Sequence, residues 1–326
     1  MSALSRKRLG FTLVEVLVAI AITVGLSAVL LNITTGTLNV WHRAQDTFTT
    51  DTQVRLAMDQ LQKDLDGALF RSDGATWLAV DCLATTAAML SHGWRATGFI
   101  KPATELSMNL VPSTLADARF GIGGAWLRFI TTNSETKNSG NPGGSLPVAV
   151  SYQIARRPIS GAVALSNPAP VRYTLFRSAV ANETTFAAGY NVTSSAYGSS
   201  SATAAAARSA RSLTNPNIAD ALVSNVVDVG VWLYTWDGTG QLRRIFPTTS
   251  SSVVHRAADA ANFPRVADVM IRVLSEEGAR AIENIEMASS AVGRPVGVSD
   301  SEWWWSVVET HSRVYIRRFI ISGSSW

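Results

Sequence analysis

The sequence predicts an α+β protein, in which one long N-terminal α-helix, membrane-spanning in its first half, packs on a largely antiparallel β-sheet domain. Three observations predict it. An apolar run fills Phe11 to Leu31, an amphipathic pattern at helical spacing continues to about Phe70, and after Gly67 the periodicity falls from 3.6 to 2.

The apolar run follows a short basic leader, Ser5-Arg6-Lys7-Arg8-Leu9-Gly10. At ~1.5 Å rise per residue, the helix from Phe11 to Leu31 covers a ~30 Å hydrocarbon core. Its only ionisable group is Glu15. An acid at the centre of a membrane helix costs about 2.5 to 3.5 kcal/mol, so Glu15 marks a functional site that needs a partner. Basic residues ahead of one span also fit a plain signal anchor. A cleaved secretory signal fits less well, because the run is long for such a segment and Leu26-Ser27-Ala28 is a poor cleavage site.

Residues 32–70 read as an extension of the same helix. Leu38, Trp41 and Phe48 begin an apolar face that Val54, Met58, Leu61, Leu65 and Leu69 continue, with Asp51, Arg55, Asp59, Gln62, Lys63, Asp64 and Asp66 opposite. Helix from Phe11 to Phe70 is roughly 90 Å long.

The remainder, 71–326, reads as one β-rich domain. Strand patterns cover Glu105–Val111, Ala125–Thr131, Val148–Ile154, Val171–Phe176, Val226–Trp236, Leu242–Phe246, Val266–Leu274 and Ser312–Ser322. Asp237-Gly238-Thr239-Gly240 reads as a hairpin, and Asn138 to Gly144 as a loop. Ser275–Met287 is the one helical pattern in the second half. Residues 184–217, dominated by Ser, Ala, Thr and Gly, predict a long surface loop with little to bury.

Composition narrows the function. The net charge is +4, of which Arg6, Lys7 and Arg8 supply three, and no Lys/Arg block follows, so nucleic acid is not an expected partner. Cys82 is the single cysteine, which rules out an intrachain disulfide. The histidines His42, His92, His255 and His311 form no His-Glu-x-x-His motif, and no metal or other cofactor is expected. Gly121-Ile122-Gly123-Gly124 lacks the third glycine of a dinucleotide loop and the Lys-Ser/Thr of a P-loop, and no Gly-x-Ser-x-Gly elbow occurs. Asp64-Leu65-Asp66-Gly67 falls short of a calcium loop. No catalytic residue is expected, and the chain does not read as an enzyme.

Trp303-Trp304-Trp305 stands out. On a strand, Trp303 and Trp305 share one face and Trp304 takes the other. Core packing of large rings is one reading, and a contact surface for another subunit or a substrate is the other.

Gly10-Phe11-Thr12-Leu13-Val14-Glu15 resembles the processing site of type IV prepilins and type II secretion pseudopilins. The resemblance implies cleavage between Gly10 and Phe11 by a prepilin peptidase, N-methylation at Phe11, and a Glu15 that meets the amino terminus of a neighbouring subunit. It implies residence in the bacterial inner membrane as a single-pass protein with a periplasmic domain, then assembly with other pilin-type subunits into a filament. Arg55 to Leu65 and the later strand order are similar to J-type minor pseudopilins, which sit at the filament tip. The long prepilin-like proteins of verrucomicrobial-type gene cassettes are similar too. The alternative is a membrane-anchored exported domain that binds an envelope ligand or substrate without joining a filament.

Overall fold

The computed structural model describes residues 12–82, 125–132, 146–158, 171–197, 213, 216, 218–248, 254–287, 293–298, 300–322 and 324–325. The chain divides into two compact units, Met1–Thr49 and Thr50–Trp326.

Helix α1 spans Leu13–Asp66. In the first unit its stretch Leu13–Leu38 is long and apolar enough to cross a membrane, and none of its most apolar window is buried by protein. The threonines in or near this run are tolerated because each hydroxyl bonds a carbonyl one turn back: Thr23 to Ala19 at 2.7 Å, Thr34 to Leu30 and Thr37 to Ile33 at 2.8 Å.

In the second unit the same helix buries Val54, Ala57, Met58, Leu61 and Leu65. It ends at Asp66, not at Phe70, because Gly67 is a poor helix residue and the chain then turns into strand β1, Leu69–Phe70. That strand pairs in parallel with β12, Ser324–Ser325. Leu38, Trp41 and Phe48, expected to begin the same face, are all exposed.

Two antiparallel sheets enclose the helix face. One has six strands in the order β6-β5-β4-β3-β2-β9: β2 Leu78–Cys82, β3 Ala125–Thr131, β4 Val148–Pro158, β5 Val171–Val180, β6 Ala221–Ser224 and β9 Val254–Ala257. The other has four in the order β11-β10-β7-β8: β7 Val226–Trp236, β8 Leu242–Phe246, β10 Val266–Leu274 and β11 Ser312–Ile320. Ala57 and Leu61 of the helix meet Leu127, Tyr152 and Leu175 of the first sheet and Val229, Val231, Val269 and Ile271 of the second. The α+β class holds, and the long strands stand where alternation put them.

Several expectations need correction. Residues 184–197 are not a solvated loop. They include part of helix α2, Asn182–Ala187, and a 3₁₀ turn at Ser195–Tyr197, with Thr185, Val192 and Tyr197 buried. The Thr185 hydroxyl accepts the Ala149 N–H at 3.1 Å, and Trp77 stacks on Tyr190 with ring centroids 5.6 Å apart. A few anchors among small residues are enough to order that segment, although average composition hides them. Of the remainder, Leu213 is buried, and 198–212 lies outside the described residues. Helix α3, Glu276–Met287, matches its pattern, but a further helix α4, Asp300–His311, stands where the tryptophans were expected on a strand. The strand expected at 105–111 and the glycines at 121–124 lie outside the described residues.

Candidate functional site at the N-terminal helix

Gly10 and Phe11 lie outside the described residues; Thr12 and Glu15 do not. Thr12 stands immediately before the first helical residue, Leu13. Its backbone N–H donates to Glu15 Oε2 at 2.9 Å, and its hydroxyl donates to the same oxygen at 3.0 Å. In return the Glu15 N–H donates to Thr12 Oγ1 at 3.2 Å. This reciprocal arrangement is a capping box, Thr-x-x-Glu, and it satisfies backbone donors that a helix start leaves open. The Thr-x-x-Glu spacing is visible in the sequence, where it overlaps the processing motif. A carboxylate near the positive end of a helix also gains from the aligned peptide dipoles. Glu15 is therefore fixed at the first turn, with its charge held at the end of the apolar span where the chain enters it.

The tryptophans give a different picture from the expected strand. On helix α4, Trp304 is fully buried and Trp305 nearly so, stacked with ring centroids 6.1 Å apart. Trp304 also meets Tyr173 edge-on at 6.1 Å, and Arg272 lies 5.0 Å from the Trp305 ring. Only Trp303 is half-buried. Adjacent helical residues both turn inward here because α4 packs beside α3, where Gly278 touches His311 closely. An interface role for Trp304 has no exposed surface to act through.

Asp64, from the segment that falls short of a calcium loop, and Asp237 of the hairpin are both engaged within the fold. Asp64 is fully buried and receives Arg177 through Nε and Nη2 at 2.7 and 2.9 Å, Tyr152 through its hydroxyl at 2.5 Å and Gln60 at 3.1 Å. Burial, and then the adjacent carboxylate, raise the Tyr152 hydroxyl well above its ordinary range, so it stays a donor. Asp237 is held below the usual carboxylate range by Thr239 and by the backbone N–H groups of Gln241 and Thr239 inside its hairpin. Among the described residues no three His, Cys, Asp or Glu side chains converge as a metal site would need.

Residues 5–30 match the family described as the prokaryotic N-terminal methylation motif. Among curated proteins and among solved structures, nothing matches. Over its N-terminal segment the chain is prepilin-like: a methylation motif runs into an apolar helix that is long enough to cross a membrane.

Proposed function

We propose that a prepilin peptidase hydrolyses the Gly10–Phe11 bond and methylates the amino group released on Phe11, and that the mature chain is a minor pseudopilin or pilin-type subunit. It waits in the inner membrane with its β domain in the periplasm and then enters a type II secretion or type IV pilus-like filament, at the tip in the manner of J-type subunits. The observation that carries this reading is the methylation motif over residues 5–30 joined to an apolar span, Leu13–Leu38, whose one acid, Glu15, closes a capping box at the first turn.

Assembly then exchanges partners. In the single chain Glu15 bonds Thr12; in the filament its carboxylate takes the methylated amine of a neighbouring Phe11. The exchange brings a full positive charge to a carboxylate that Thr12 meets only with neutral donors, and that attraction is strongest at low dielectric. Mass spectrometry of the mature N-terminus tests processing: a methylated Phe11 supports the reading, and an intact Met1 or a cut after Ala28 overturns it. Glu15→Leu is expected to insert in the membrane yet enter filaments at least tenfold less often. Normal incorporation overturns the role of Glu15.

A further inference from the structure

The four-stranded sheet buries one face against the helix and is only half covered on the other. Its register puts Val314, Ile316, Arg318 and Ile320 of β11, Val266, Asp268, Met270 and Arg272 of β10, and Trp232 and Tyr234 of β7 on the same outward side. At one end Trp305 of α4 lies over Arg272. At the other no helix stands among the described residues, and Trp236, Ile316 and Ile320 are 55%, 59% and 68% exposed. These three lie on one side of one sheet with the Arg318–Asp268 pair between them, whereas Val314, opposite Arg272, belongs to the end that Trp305 covers.

The charges on this open end are cationic. Arg244 lies over the Trp232 ring at 5.2 Å, and among the described residues it pairs with no carboxylate. Arg318 lies over Tyr234 at 5.6 Å and is held by Asp268 through two bonds of 2.7 Å. Arg243, next along β8 and paired with Thr235, projects from the other side of the sheet, so Arg244 is the cation this face offers from β8. The carboxylates nearby are already engaged, Asp268 by Arg318 and Asp237 by its own turn. A guanidinium over a ring face keeps N–H donors for a carboxylate; those of Arg318 go to Asp268, which leaves Arg244 to receive another.

We propose that this half-open face docks an acidic amphipathic α-helix from a partner protein, completing the helical layer that α4 begins. The dimensions suit one helix: from β11 to β8 is about 14 Å at ~4.8 Å per strand, and a helix with its side chains is ~10–12 Å across. The partner's apolar stripe covers Trp236, Ile316 and Ile320, and glutamates or aspartates on its flank meet Arg244. The proposal does not depend on the filament assignment.

The test places the photo-crosslinking residue p-benzoylphenylalanine at Ile316 in the full-length protein in its native membrane, with Glu183, exposed on helix α2, as the control position. A discrete adduct at Ile316 and not at Glu183, whose partner peptide carries acidic and apolar residues at three- and four-residue spacing, supports the proposal. Arg244→Glu is expected to cut that adduct at least tenfold and Arg244→Lys to keep most of it, with circular dichroism confirming that both variants fold. An adduct to lipid, to a second copy of this chain or to a basic or non-helical segment overturns it. So does the absence of an adduct, or one indifferent to Arg244→Glu.

Discussion

Asp64 on the helix and Arg177 on strand β5, 113 residues apart in sequence, meet through two hydrogen bonds while the carboxylate is fully shielded from water. The Thr131 hydroxyl bonds the Asp64 carbonyl at 2.7 Å, so side chain and backbone of one residue are both tied to the six-stranded sheet. This is how the last turn of the helix is held in register against that sheet.

Breaking half of such a pair is far worse than replacing it. Arg177→Met leaves a buried carboxylate uncompensated and is expected to destabilise the domain by about 3–5 kcal/mol. The double variant Asp64→Leu/Arg177→Met is expected to recover most of that loss, because no charge remains to be solvated. Denaturant midpoints of the three proteins check it; a double variant as unstable as the single one contradicts it.

A second prediction concerns Gly278, where an added Cβ would come within 2.4 Å of His311 Cβ and 3.2 Å of its carbonyl oxygen. Alanine gains about 1 kcal/mol of helix propensity over glycine. The clash is with a backbone-near atom that cannot swing away, and overpacking costs about 1–3 kcal/mol. Gly278→Ala is therefore expected to be net destabilising, and a raised melting temperature would contradict the close packing of α3 on α4.

Trp304→Ala is expected to cost about 3–5 kcal/mol, as large-to-small changes at buried aromatics do. Trp303→Ala, at a half-buried ring, is expected to cost much less. Unfolding curves for the two variants separate a core role from an exposed one.

His255 supplies a pH signature. Its ring is buried and donates from Nε2 to the Asn262 carbonyl at 2.8 Å. Desolvation lowers its pKa, with Arg256 acting in the same direction and the Asn262 bond and Asp259 opposing. The unfolded chain therefore takes up the proton more readily than the folded one. The stability due to neutral His255 is intact above the ordinary histidine value of about 6.5 and is lost as pH falls through the lower folded value. Melting temperature should fall below pH 6.5 in the native sequence and less steeply in His255→Phe.

Thr12→Val removes the hydroxyl of the capping box and is expected to cost about 1 kcal/mol at the start of the helix. Thr12→Ser should be nearly neutral. Hydrogen exchange of the first-turn amides in micelles is the measurement; equal protection in both variants would contradict the box.

The long elements were legible because each carries many repeats of its own period. Val226–Trp236 and Val266–Leu274 are long and rich in β-branched residues, and both fall where expected. Strands β6 and β9 have four residues each, too few for a period to show. The tryptophans misled because three rings in a row fit either a strand or a helix, and only the packing of α4 on α3 decides between them. At the N-terminus the motif residues are legible, and the Thr12–Glu15 bonds share the same short stretch, so one pattern masks the other. The Asp64–Arg177 pair was illegible, since nothing local in either segment points to the other.

Strand β11 fastens to the helix from the far end of the chain: Tyr315 bonds Asp51, and Arg317 meets Asp59 at 2.5 Å, across sequence separations of 264 and 258 residues. A ribosome making this protein releases the helix long before it makes the strand that secures it. Until then the face of Val54, Met58, Leu61 and Leu65 lacks part of its cover, and contacts so remote in sequence form slowly. The domain can close only once nearly the whole chain has emerged, so that apolar face stays partly uncovered for most of its synthesis.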